Sequence, residues 1–297
     1  MNETAQINCC SSGSCHKKRD GLTACAGSCC DIGNFRNSND DLVFASNGCR
    51  LYVALDGVGG NAGGAQASQI VLEQIRAKIR SMCFAEVGET REDIEVAVAR
   101  ALRLAALDMI RVGNENPDHR RMGTVFALAF VVDRTLFYTS VGDSRVYLLR
   151  GGRLQQLTKD ESYVQALVDA GAITTEDARH HPMRNIITNS VSGRFMSEYP
   201  VVRKHDLTDG DTLLLTTDGV TDKLLPIEIQ NLLNEHEDPM IASERIVELA
   251  IEEGSHDNCS CIVVRIQANS DQLISSAKSG WLRWPWKPEQ KHGRLLK

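Results

Sequence analysis

The sequence predicts a layered α+β fold, a four-layer α-β-β-α sandwich with two central antiparallel sheets flanked by helix pairs. Three observations carry this expectation. The compact apolar run Leu51-Tyr52-Val53-Ala54-Leu55 is followed by two consecutive helical patterns, not one. The strand-like runs from Thr124 to Leu157 are joined by short turns, as in a meander. Two further helical patterns precede a last apolar strand, Ser260 to Ile266, and helices paired against two groups of strands stack in layers.

Residues 1–22 are rich in Ser, Gly, Cys and Lys without periodicity, which predicts a disordered, Cys-rich arm. One folded domain is expected over 23–267, and 268–297 reads as a basic, Trp-rich tail. Within the domain, the strand 51–55 ends at Asp56, as expected of a buried strand delivering a carboxylate to its tip. A glycine-rich loop then releases a helix with Ile70, Ile75, Ile79 and Met82 on one face, and Ile94, Val98, Ala101, Ala105 and Met109 mark the next. The meander comprises Thr124 to Val132, Thr135 to Ser140 and Ser144 to Leu149, with Gly151-Gly152 as a hairpin turn into Arg153 to Leu157. A short helix around Ser162 to Ala170 and a polar segment through His180, His181 and Pro182 interrupt it and are expected to overhang the site. Strands return near Asn185, Val201 and Leu213, and helices Ile227 to Leu233 and Ile241 to Glu252 lead to the last strand.

A chain of 297 residues with 42% hydrophobic and 24% charged residues can bury a sizeable core. Its net charge of -6, with no basic stripe in the central region, argues against a nucleic-acid surface as main partner. The N-terminus lacks a continuous apolar stretch of signal-peptide length, and no window approaches the roughly 20 apolar residues of a membrane helix, so a cytoplasmic location is expected. Cys9, Cys10, Cys15, Cys25, Cys29, Cys30 and Cys49 crowd the first fifty residues without the paired C-x2-C spacing of zinc ribbons, so reduced thiols in an arm and an edge strand are expected. Cys259 and Cys261 alternate in an apolar run and read as small core residues on one strand face.

Four acidic motifs punctuate the chain: Asn39-Asp40-Asp41, Asp56-Gly57-Val58-Gly59-Gly60, Thr217-Asp218-Gly219-Val220 and His256-Asp257-Asn258. Carboxylates gathered at strand ends repel one another unless a cation neutralises them, and a set without His or Cys ligands selects hard cations such as Mg2+ or Mn2+. A glycine after a strand-end Asp lets the backbone turn and exposes its carbonyl as a further oxygen ligand.

These motifs, with Asp31-Ile32-Gly33, Arg36, Met122-Gly123-Thr124 and Val141-Gly142-Asp143-Ser144-Arg145 in the same order, resemble the metal-dependent protein serine/threonine phosphatases of type 2C, in the bacterial branch, from about Asp31 to Ile266. The resemblance implies the same sandwich, with two Mn2+ or Mg2+ ions and a weaker third in a cleft at one end. It implies that Asp56 bridges the two ions with the Gly57 carbonyl as a further ligand, that Asp218 and Asp257 hold one ion, and that Asp41, with neighbouring Asp40 through water, holds the other. Asp143 would bind the third ion with Asp218; the residue-level alternative is an Asp that shapes its turn and pairs with Arg145. Arg36 reads as the phosphate clamp, because guanidinium binds phosphate oxygens through two parallel hydrogen bonds. The implied reaction is hydrolysis of phosphoserine and phosphothreonine by a metal-bridged water, reversing a bacterial Ser/Thr kinase.

The chain departs from the family pattern at Val58, which stands where many eukaryotic relatives carry a His resembling a general acid, at Glu161, where bacterial relatives commonly have His, and at Val125, in place of a second Thr. Valine transfers no proton, so water or another group would protonate the leaving alkoxide. Gly57-Val58-Gly59-Gly60-Asn61-Ala62 formally fits a dinucleotide-binding loop, but a second helix follows where that unit needs a parallel strand. A catalytically silent binding or scaffolding protein on the same fold is the remaining alternative. Trp281, Trp284 and Trp286, among Lys278, Arg283, Lys287, Lys291, Arg294 and Lys297, would suit peripheral docking on the inner membrane surface or a partner's groove.

Overall fold

A computed structural model describes residues 22–59, 63–84, 93–193, 196 and 198–268, with backbone alone for 81–84. Residues 1–21 of the expected arm, residues 269–297 of the Trp-rich tail, the Met82 side chain and Gly60-Asn61-Ala62 of the glycine loop lie outside the described residues, whereas Leu22 and Ala268, assigned to the arm and tail, belong to strands.

Strands β1 (Leu22–Asp31), β2 (Leu42–Ser46) and β3 (Leu51–Val58) lead into helices α1 (Gly63–Phe84) and α2 (Ile94–Glu115). The meander is β4 (Gly123–Val132), β5 (Thr135–Val141), β6 (Arg145–Arg150) and β7 (Arg153–Gln156). The interrupting segment carries α3 (Tyr163–Asp169), α4 (Thr175–His180) and β8 (Val191–Ser192); β9 (Arg203–Asp206), β10 (Thr212–Thr216), α5 (Asp218–Thr221), α6 (Pro226–Glu235), α7 (Pro239–Glu252) and β11 (Cys259–Ala268) complete the described elements. One sheet has the order β1-β11-β10-β6-β7 and the other β2-β3-β4-β5-β9, with β8 beside β4. Every pairing is antiparallel.

Strict alternation along the central strands builds the layers. Leu51, Val53 and Leu55 face Val71, Ile75, Val98 and Leu102 of the α1/α2 pair. Tyr52 and Ala54 face the other way, into the space between the sheets, where they meet Leu213, Leu215, Ile262 and Val264. Leu214, Cys259, Cys261 and Val263 point to the far side, against Ile229 and Leu233 of α6 and Ile246 and Val247 of α7. The expected layering and the core role of Cys259 and Cys261 are both present. Ile262 is fully buried between the sheets, so Ile262→Ala is expected to lower unfolding free energy by about 2–5 kcal/mol in urea denaturation.

Three expectations need correction. No strand forms at Asn185, where Ser162 and Ile187 make only an isolated bridge. The strand expected near Val201 begins at Arg203, where pairing with β5 starts. The segment before His181 is a helix, α4, started by a reciprocal cap in which Thr174 and Asp177 satisfy each other's backbone N–H groups. Gly151 and Gly152 do form the expected hairpin turn, both with positive φ.

Candidate metal centre and phosphate clamp

The candidate acids gather at one end of the sandwich because of register. Leu42 opposes Leu55, which places Asp40 and Asp41, just before β2, beside the end of β3 where Asp56 and Gly57 lie. Phe126 opposes both Leu55 and Val141, so the β5–β6 turn with Asp143 falls at the same end. In the other sheet Thr216 opposes Cys261, which sets Asp218 after β10 near Asp257 before β11.

Burial and mutual repulsion dominate the electrostatics. Asp56 is pushed well above the usual carboxylate range by burial first and then by Asp218, Asp41, Asp143 and Asp257. Asp218 is pushed the same way by burial and then by Asp143, Asp222, Asp257 and Asp41. Burial raises Asp41 to about 7, partly offset by hydrogen bonding, and Thr217 Oγ1 donates to its Oδ2 at 2.9 Å. Asp143 is raised to about 6, by burial and then by Asp160. Oδ1 of Asp218 and Oδ1 of Asp40 are buried and accept no hydrogen bond from a described residue. Such a set costs free energy as anions without a counter-charge.

The donor set fits a hard divalent cation. A methyl group added to Gly64 would lie 2.7 Å from the Gly57 carbonyl oxygen and 2.8 Å from Asp40 Oδ2, so a backbone and a carboxylate oxygen converge beside that glycine. Among the described residues, no three His, Cys, Asp or Glu side chains are grouped closely enough to hold a metal ion by themselves.

Hydrogen bonds hold the acid-bearing backbone. The Asp40 carbonyl accepts from Gly57 N–H at 3.2 Å and from the Ser68 hydroxyl at 3.2 Å. Thr124 Oγ1 donates to the Asp56 carbonyl at 2.8 Å and contacts Ser68 Oγ at 3.1 Å. Glu161 Oε2 accepts from Gly142 N–H at 3.0 Å, and its own N–H donates to the Gly142 carbonyl at 2.7 Å, clamping the Asp143 turn. Arg145 makes no hydrogen bond or ion pair with Asp143 among the described contacts, though its charge lowers the Asp143 pKa; its guanidinium makes a bidentate contact with Asp160, at 2.9 and 2.6 Å. Arg36 Nη2 donates to Asp257 Oδ2 at 2.6 Å, with the arginine side chain about half exposed. The parts played by Ser68, by Thr217 and by Asn258, whose amide oxygen accepts from Asp40 N–H at 2.9 Å, were not read from sequence; Thr217 and Asn258 stand in the acidic motifs, whereas Ser68 carries no sequence signal.

A prediction for the metal-free protein follows from these shifts. A carboxyl group whose folded pKa is raised binds its proton more tightly folded than unfolded, so its ionisation destabilises the fold as pH rises from the unfolded value, about 4, through the folded one. With Asp143 near 6 and Asp41 near 7, the melting temperature in EDTA is expected to be lower at pH 8 than at pH 5, and added Mn2+ to restore it at pH 8. An equal or higher value at pH 8 in EDTA would contradict the electrostatic reading.

Fold and site together define a class, a two-sheet sandwich with a buried carboxylate centre at one end. The family model for protein phosphatase 2C matches residues 35–250, more than half of the chain, and the chain belongs to that family. It is 32% identical over 256 residues to the serine/threonine protein phosphatase PstP of Mycobacterium tuberculosis, covering 84% of this chain and 47% of that protein; the chain thus spans about half the length of this curated relative. Protein phosphatase PhpP of Streptococcus pneumoniae is 31% identical over 237 residues, covering 79% of this chain and 94% of PhpP. The catalytic domain of PstP in complex with two manganese ions superposes with a TM-score of 0.72 at 31% identity, over 83% of this chain and 99% of that one. A serine/threonine phosphatase from Staphylococcus aureus gives a TM-score of 0.73 at 28% identity, over 86% and 98%.

Proposed function

We propose that this chain is a Mn2+- or Mg2+-dependent phosphatase of phosphoserine and phosphothreonine in proteins. The observation that carries the reading is the cluster of buried, mutually repelling carboxylates with partnerless oxygens on Asp218 and Asp40. Asp56, Asp218 and Asp257 would hold one ion. Asp56, the Gly57 carbonyl and Asp40 would hold the other, with Asp41 behind them. Asp40 takes the direct role because its Oδ2 and the Gly57 carbonyl oxygen lie on the same side, beside Gly64. Asp143, left unpaired by Arg145, would hold a third ion with Asp218. When bound, the ions supply an activated water and neutralise developing charge on phosphate.

The chain's own residues supply binding and orientation. The Arg36–Asp257 pair is half exposed and worth less than about 1 kcal/mol, so an incoming phosphate can take the guanidinium and release the Asp257 oxygen. Val58 offers no proton to the departing alkoxide, which leaves that step to water or another group.

The substrates proposed are products of a bacterial Ser/Thr kinase in the cytoplasm, with the Trp281, Trp284 and Trp286 tail as a docking element for a membrane surface or partner. No helix among the described residues is long and apolar enough to cross a membrane. The test is hydrolysis of phosphothreonine and phosphotyrosine peptides with Mn2+ or EDTA. Turnover of the phosphothreonine peptide that needs Mn2+ is expected; no turnover by folded protein in any divalent metal would favour a scaffolding role.

A further inference from the structure

We propose that Asn258 is a positioning residue that docks the 32–40 loop, and with it Arg36 and Asp40, onto the Asp257 segment; its kinetic test rests on the phosphatase reading, whereas its binding and exchange tests do not. Asn258 is 4% exposed. Its amide nitrogen donates to the carbonyls of Ile32 at 2.9 Å and Ser38 at 3.0 Å, near the two ends of the loop. Its amide oxygen accepts from Asp40 N–H at 2.9 Å. Its backbone N–H donates to Asp257 Oδ1 at 2.8 Å, which leaves Oδ2 facing Arg36. One side chain thus engages both amide hydrogens and its oxygen in a single task.

The other ties between loop and segment lie nearer the surface and are weaker. The Phe35 ring lies against the His256 ring, tilted by 42° with centroids 4.1 Å apart, but Phe35 remains 57% exposed, and the Arg36 pair is half exposed. Gly33 comes so close that an added methyl group would lie 2.5 Å from the Asp257 carbonyl oxygen, so the two segments already touch and need only be held in register. The buried anchor decides that register, because a hydrogen bond shielded from water is not exchanged for one to solvent. Asp40 is then pinned from both sides, with its N–H held by Asn258 and its carbonyl by Gly57 and Ser68. Its carboxylate Oδ2 and the Gly57 carbonyl oxygen both lie beside Gly64.

The experiment compares wild type with Asn258→Ala and Asn258→Asp, which puts an acceptor oxygen where the amide nitrogen donated to the Ile32 and Ser38 carbonyls. Calorimetric titration with Mn2+ is expected to show affinity weakened by about 10–100-fold in both variants. Michaelis analysis on a phosphothreonine peptide is expected to show KM raised by about fivefold or more, less than additively when Arg36→Ala is combined with Asn258→Ala. Mn2+ affinity and KM within about twofold of wild type would overturn the proposal, as would a fall in kcat alone. In the wild-type protein, which avoids any folding defect of the variants, the Asp40 amide is expected to exchange hydrogen slowly, and free exchange there would also overturn it. If wild type fails to hydrolyse the peptide, the phosphatase reading falls while Mn2+ affinity and exchange still decide the role of Asn258.

Discussion

Asp218→Asn is expected to lower turnover of a phosphothreonine peptide by about a thousandfold or more while raising the melting temperature of the metal-free protein. The two signs differ because one carboxylate serves opposite ends. With metal, Asp218 supplies negative charge to an ion whose electrostatic contribution to a phosphoryl-transfer barrier is several kcal/mol, and each ~1.4 kcal/mol is tenfold in rate. Without metal, the same charge is buried beside Asp143, Asp222, Asp257 and Asp41 and opposes folding. Asparagine keeps the shape and removes that repulsion, and a gain of ~1 kcal/mol in a domain of this size moves the midpoint by about 2–4 °C. Paired melting curves in EDTA at pH 8 and initial rates in Mn2+ check both signs. A variant that keeps wild-type turnover, or that melts lower than wild type in EDTA, would count against Asp218 as a ligand held for metal.

The second large effect is steric. At Gly57 an added methyl group would lie 2.3 Å from the carbonyl carbon and 2.4 Å from the carbonyl oxygen of Gly64, and backbone at the start of α1 has no rotamer with which to yield. Gly57→Ala is therefore expected to destabilise by about 3 kcal/mol or more, since it overpacks a rigid contact. It is also expected to abolish Mn2+-dependent turnover, because the displaced atoms include the carbonyl that converges with Asp40. Gly48→Ala is the matched control, since a methyl group there meets nothing within 4 Å, and it should leave the denaturant midpoint and the rate unchanged. A Gly57→Ala protein as stable as this control would mean that the close approach of β3 and α1 is not rigid in solution.

The layers were legible in sequence because alternation and helical period are strong signals in Leu51 to Leu55, in α1 and α2, and in β11. The acids were legible because Asp-Gly after an apolar run is both a turn and a ligand pattern. What could not be read was phase. Asp40 and Asp41 are neighbours, and only the pairing of Leu42 with Leu55 decides that Asp41 turns toward Thr217 while Asp40 meets the Gly57 carbonyl. Asn258 was visible as part of a motif but not as an anchor, since its partners Ile32, Ser38 and Asp40 lie more than 200 positions away. Helix α4 has no apolar face to produce a period; its signal was the Thr174–Asp177 cap, which apolar periodicity does not detect. Strand β8, at two residues, is too short to show alternation.

The most direct measurement is a titration of metal-free wild type with Mn2+ in which heat of binding and initial rate on a phosphothreonine peptide are followed on the same sample. The expected result is a rate that rises from zero and reaches most of its plateau as two ions bind per chain, with any third ion weaker. Hydrolysis that persists in EDTA, or ion binding without any hydrolysis, would contradict the account.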